Sequence, residues 1–122
     1  MRLLALITAM ALAFAGTALA QAQMTVREFN QIAANAPRDP SALLRPSVRR
    51  AANALQGAFE AARAEEGAAR RAGRTPPFCL PERIRLSPDE IVARMRAVPA
   101  ARQNQTLNQA VHSWMAERYP CR

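Results

Sequence analysis

What most constrains this chain is a pair of cysteines in a sequence that opens with an export signal. Cys79 lies in Pro77-Phe78-Cys79-Leu80-Pro81 and Cys121 in Tyr119-Pro120-Cys121. In an oxidising compartment two cysteines read as one disulfide. Such a bridge would tie a central loop to the last residues of the sequence and close its second half into a ring. Two thiolates far apart in sequence, with no histidine beside either, make a poor metal site. A free reactive thiol is disfavoured where a second cysteine and an oxidising compartment are both at hand.

The export reading comes from the first twenty residues. Arg2 supplies a positive start, Leu3 to Ala15 an apolar stretch too short to span a bilayer, and Ala18-Leu19-Ala20 a cleavage site flanked by small residues. Residues 1–20 are therefore expected to be a cleaved signal peptide. Residues 21–122 are expected to form a single helical domain in the periplasm or outside the cell. No later stretch reaches about 18 apolar residues, so no membrane span is expected.

The charge is strongly positive, with a formal net charge of +8 from 17 basic and 9 acidic residues. Every cation is an arginine. GC-rich coding favours arginine and alanine together and is the bland explanation. The sharper one is a surface for an acidic partner or an anionic envelope polymer. Nucleic acid is not expected as a partner. Export argues against it, and no aromatic interleaving or recognition motif accompanies the basic residues.

Helix signals punctuate the rest. Thr25-Val26-Arg27-Glu28 reads as a capping box. Val26, Phe29, Ile32, Ala33 and Ala36 follow at helical spacing until Pro37, which predicts a helix over residues 26–35. Asp39-Pro40 starts a short turn over 41–44. Val48, Ala51, Ala52, Leu55, Ala58, Phe59 and Ala62 then share one face of a long helix over 47–72, with Gly73 just past its end. That helix would be roughly 39 Å long, and Gly57 and Gly67 would each weaken it by about 1 kcal/mol. Its apolar stripe stops at Ala62, while Glu66 and Arg70 continue along the same face as an i,i+4 ion pair. The last turns thus either run out into solvent or face something polar.

Thr75-Pro76-Pro77 breaks that helix, and an extended loop anchored by Phe78, Cys79 and Ile84 follows. Ser87-Pro88-Asp89-Glu90 combines a Ser cap, a proline at the first helical position and a glutamate at the third. It predicts a helix whose inner face is Ile91, Val92, Met95 and Val98, ending at Pro99. Thr106-Leu107-Asn108-Gln109 is a third capping box. It opens a helix with Leu107, Ala110, Val111 and Trp114 inward and Met115 at the edge. These signals add up to an all-α fold, a small bundle of about four helices closed by one disulfide.

Residues suited to catalysis are sparse. His112 is the lone histidine and lies away from the inward face of its helix, with Ser113 about 100° further round. A functional histidine needs a nucleophile to activate or companions to share a metal. Asp89 and Glu90 are accounted for by capping, and Glu65 and Glu66 sit among arginines. No phosphate loop, nucleophile elbow or metal-ligand cluster is present. The sequence reads as a non-enzyme with no cofactor.

One resemblance covers residues 76–121. Phe78-Cys79-Leu80-Pro81, a capped helix, a proline-ended turn, a further helix and Tyr119-Pro120-Cys121 together resemble the Rap/Tai family of exported bacterial immunity proteins linked to type VI secretion. The resemblance implies a helical bundle with a disulfide that binds and blocks a peptidoglycan-cleaving amidase effector. Cys79 and Cys121 are the residues it carries over. The expected function is therefore non-enzymatic binding of a protein partner. The alternative is a structural or envelope-stress protein whose basic surface contacts anionic cell-wall polymer. The candidate partner-binding residues are Glu66, Arg70, Arg71 and Arg74, where the long helix outruns its apolar stripe. Self-association is left open.

Overall fold

Prolines and hydroxyl caps set the limits of nearly every helix. The computed structural model describes residues 23–122; the expected signal peptide over 1–20 lies outside them. Helix α1 spans Val26–Asn35, α2 Pro46–Arg71, α3 Pro88–Arg96 and α4 Leu107–Arg118. Short 3-10 helices occupy Pro40–Leu44 and Ala100–Arg102. Among the described residues the only β-type pairing is one isolated antiparallel bridge between Thr25 and Thr106. The fold is all-α, with four α-helices among the described residues.

The caps act as the sequence predicts in two cases out of three. Ser87 and Thr106 each form a full reciprocal capping box, with Glu90 and Gln109 respectively. At α1 only half of the box forms. Thr25 accepts from the Glu28 amide at 3.1 Å, but the Glu28 carboxylate turns outward to Arg50, 3.4 Å away on α2. An arginine on the neighbouring helix competes there for the carboxylate the box would use. At the other end of α2, Gly73 takes the left-handed conformation at φ 69°. The Arg74 and Gly73 amides donate to the carbonyls of Ala69 and Arg70 at 2.9 and 3.1 Å. This is a complete Schellman stop, and only glycine adopts its geometry without strain.

Helix α4 lies at the centre of the packing. Leu107, Ala110, Val111, Trp114 and Met115 are all buried. Met115, expected at the edge, is fully enclosed, because the bundle covers α4 from more than one side. Its main partner is α2, through the small side chains of Ala51, Ala58 and Ala62. Alanine on a helix face lets two backbones approach closely, which suits an aromatic-poor chain. Ala52, expected on the buried stripe, is exposed: the seam with α4 is narrower than the apolar face. Phe59 and Trp114 meet with ring centroids 6.3 Å apart. Helix α1 packs on α2, α3 and α4 and contributes Val26 and Phe29 to the core. Asn30 of α1 also donates to the Met95 carbonyl near the end of α3 at 3.1 Å.

Cys79 and Cys121 are disulfide-bonded, with Cα atoms 4.9 Å apart. The loop that carries Cys79 has no regular structure of its own, so its polar backbone must be satisfied from outside. Helix α2 does most of this. The Leu80 amide donates to the Glu66 carboxylate. Arg63 donates to the carbonyls of Pro81 and Glu82 at 3.0 and 3.3 Å. The Cys79 amide donates to the Tyr119 carbonyl at 2.8 Å, just past α4. Phe78 is fully buried between these elements.

That docking decides between the two readings of the end of α2. The polar end of α2 does not fray into solvent. Ala69 is buried, and Arg63, Glu66 and Arg70 form the rail along which the disulfide loop is laid.

Candidate functional site

The candidate surface is the end of the bundle where α2 stops, the disulfide sits and the loop turns back. Its four sequence-proposed residues separate into two groups. Glu66 is engaged in the fold: its side chain is only 12% exposed and its Oε1 lies 3.8 Å from Arg70 Nε, while Oε2 accepts from the Leu80 amide. It therefore does not belong with residues that folding can spare. Arg70 is intermediate in role. It is exposed, yet its guanidinium pairs with Glu66 and reaches within 3.7 Å of Cys79 Sγ.

Arg71 and Arg74 are different. Both are exposed, and neither forms an ion pair with a carboxylate among the described residues. Arg71 closes the last turn of α2, where a cation also complements the helix dipole. Arg74 follows the glycine stop. The Schellman bonds and the disulfide fix the backbone beneath both. Thr75 and Pro77 continue the exposed rim. The result is a rigid basic edge, in which the Glu66 carboxylate already serves the loop.

A second feature was not read from the sequence. His112 Nδ1 lies 2.8 Å from Glu65 Oε2, across α4 and α2. The His112 ring also meets Phe78 edge-on, with centroids 5.3 Å apart. His112 is thus half-buried and partnered rather than a free surface histidine. The two residues stand 47 positions apart, so nothing in local spacing announces the contact. The one available signal was that Glu65 and Glu66 point to neighbouring faces of a helix whose partner was unknown.

This pair lies at one wall of an open groove of about 520 Å³ between α2 and α4. Gln105, Asn108, Gln109 and Ser113 also line it. Its chemistry is that of hydrogen bonding. Ser113 shares the groove, but among the described residues no hydrogen bond joins it to His112. Among the described residues no cluster of three or more His, Cys, Asp or Glu side chains could hold a metal ion. No helix among them is long and apolar enough to cross a membrane.

No family model, curated protein or solved structure matches the chain.

Proposed function

We propose that this chain is a non-enzymatic binding protein of the bacterial envelope, and that it docks on another protein through its basic, disulfide-closed end. The mode of action is steric, as the resemblance to immunity proteins implies: a rigid edge covers the cleft of a cell-wall amidase and keeps substrate out. The observation that carries the reading is the exposure of Arg71 and Arg74 on a backbone locked by a glycine stop and a disulfide. Among the described residues these arginines form no ion pair. A preorganised surface loses little conformational freedom on binding. Unpaired guanidiniums fork well onto carboxylates and steer an acidic partner into place.

The test is capture from the source organism's periplasm, followed by inhibition. A bound exported amidase should be recovered, and the wild-type chain should suppress its cleavage of purified peptidoglycan. Arg71→Gln with Arg74→Glu should abolish both capture and inhibition while lowering the melting temperature only slightly, since exposed charges contribute little to stability and Arg71 gives up only its helix-dipole contribution. No captured protein, combined with salt-sensitive retention on purified cell wall, would replace this reading with binding to anionic cell-wall polymer.

A further inference from the structure

The end of the bundle remote in sequence from the disulfide loop carries a different surface. Leu43 and Leu44 are 62% and 77% exposed. Among the described residues they are the large apolar side chains left in solvent. They are not on a slack loop. Asp39 caps the turn by accepting from the Ser41 amide at 2.8 Å. The Ala42 and Arg45 amides donate back to the carbonyls of Asp39 and Ala42 at 3.0 and 3.1 Å. Arg45 reaches across to the Asn35 carbonyl at 3.3 Å, and Pro37, Pro40 and Pro46 stiffen the connection. The fold thus spends structure on holding two leucines outward.

Their surroundings are basic. Arg38, Arg45 and Arg49 are all exposed. The one carboxylate in this stretch is Asp39, whose pKa lies below the ordinary carboxylate value. The cause is first its hydrogen bonds with Ser41, then the Arg45 charge.

We propose that the Pro40–Leu44 turn is a docking knuckle for an anionic lipid surface, with Leu43 and Leu44 inserted among the acyl chains and Arg38, Arg45 and Arg49 on the headgroups. Two features favour a lipid surface over a second copy of the chain. Two leucines on a five-residue turn fall far short of the roughly 1,000 Å² that a specific protein interface needs. The arginines beside them would also repel the same arginines on a copy. A bilayer asks for neither area nor shape complementarity. Burying a leucine fully strengthens such partitioning by about tenfold or more, and each basic residue at an anionic surface adds roughly fivefold. Reversible association follows, rather than permanent anchoring.

The experiment is co-sedimentation of the protein, recovered from the periplasm of an expressing bacterium, with vesicles. One set is phosphatidylcholine alone and the other includes phosphatidylglycerol. The protein should pellet with the anionic vesicles and stay in solution with the neutral ones. Leu43→Ser with Leu44→Ser should weaken binding by at least about tenfold and leave the melting temperature unchanged. Arg38→Glu with Arg49→Glu should weaken it too and reduce its salt dependence. Arg45 is left intact because it holds the turn to Asn35. Failure to pellet with anionic vesicles overturns the proposal, as does binding that is insensitive to the leucine substitutions. A dimer in sedimentation that the leucine substitutions dissolve would assign the knuckle to self-association instead. None of these outcomes touches Arg71 or Arg74, so they are read independently of the partner-binding test.

Discussion

Thr25 and Thr106, the caps of the first and last helices, face each other across a single antiparallel bridge. The Val26 amide donates to the Gln105 carbonyl at 3.0 Å and the Leu107 amide to the Met24 carbonyl at 2.9 Å. The residue ahead of each cap thereby satisfies the first free amide of the other helix. The threonine hydroxyls then take the Glu28 and Gln109 amides, both at 3.1 Å. Helix starts leave their early amides without internal partners, and here two starts supply one another.

Thr106→Ala should therefore lower stability by about 1 kcal/mol through loss of the cap, and Thr106→Ser should retain most of it. Urea denaturation checks both. A Thr106→Ala protein as stable as wild type would mean that the backbone bridge alone holds the start of α4.

Among the contacts that hold the loop over 76–81 are the disulfide and Glu66. Cys121→Ala should lower stability by about 2–5 kcal/mol. Glu66→Ala should lower it by about 1.5–3 kcal/mol, because the Leu80 amide loses a charged acceptor. The two substitutions release the same segment, so the combined loss should be less than the sum. Thermal melts of the two single variants and the double variant decide this. Strict additivity would show that the two contacts act on separate parts of the loop.

Gly57 sits inside α2, and a methyl group built there meets nothing within 4 Å. Gly57→Ala should raise stability by about 1 kcal/mol by restricting the unfolded chain and favouring helix. Gly57 lines a shallow groove with Met24, Ala54 and Leu107, and a lowered melting temperature would mean that this groove closes on the site in solution.

Glu117 bonds Arg94, and first this hydrogen bond, then the Arg94 charge, lower its pKa from 4.5. A carboxylate depressed in the folded state contributes stability above its unfolded pKa and loses it as pH falls through the folded value. Stability should thus decline as pH drops below 4.5 toward that lower value. Glu117→Gln should flatten that part of the profile while leaving neutral pH nearly unaffected. Trp114 is the natural reporter: it is buried, lies 5.8 Å from the Arg94 guanidinium, and should emit blue-shifted fluorescence until the fold is lost.

Helix limits were legible in the sequence because each depends on a few adjacent residues: Ser87 with Glu90, Thr106 with Gln109, Asp39 before Pro40, Gly73 after Arg71. The disulfide was legible from two cysteines read together with the expectation of export. What stayed hidden were contacts that exist only once α2, α4 and the cysteine loop are docked. Glu66 on the end of a long helix reads equally well as a solvent ion pair or as an acceptor for a distant amide. His112 reads as exposed until Phe78 and Glu65 arrive beside it. Met115 reads as marginal because a helical wheel shows one buried face, and α4 is enclosed on more than one. In the candidate site, the basic edge was visible as a run of arginines. The division between Glu66, which the fold uses, and Arg71 and Arg74, which it does not, required the loop to be in place.

The central position of α4 also dictates an order of events. The helix on which α1 and α2 both pack comes after them in the chain. Until it arrives, α1 and α2 have apolar faces with no lasting cover, and Phe78 has no pocket. The fold cannot be assembled piece by piece from its start, as a row of repeats can. A chain interrupted before Leu107 would leave Ala51, Ala58 and Ala62 of α2 without the helix that covers them and would lack the Cys121 half of the disulfide.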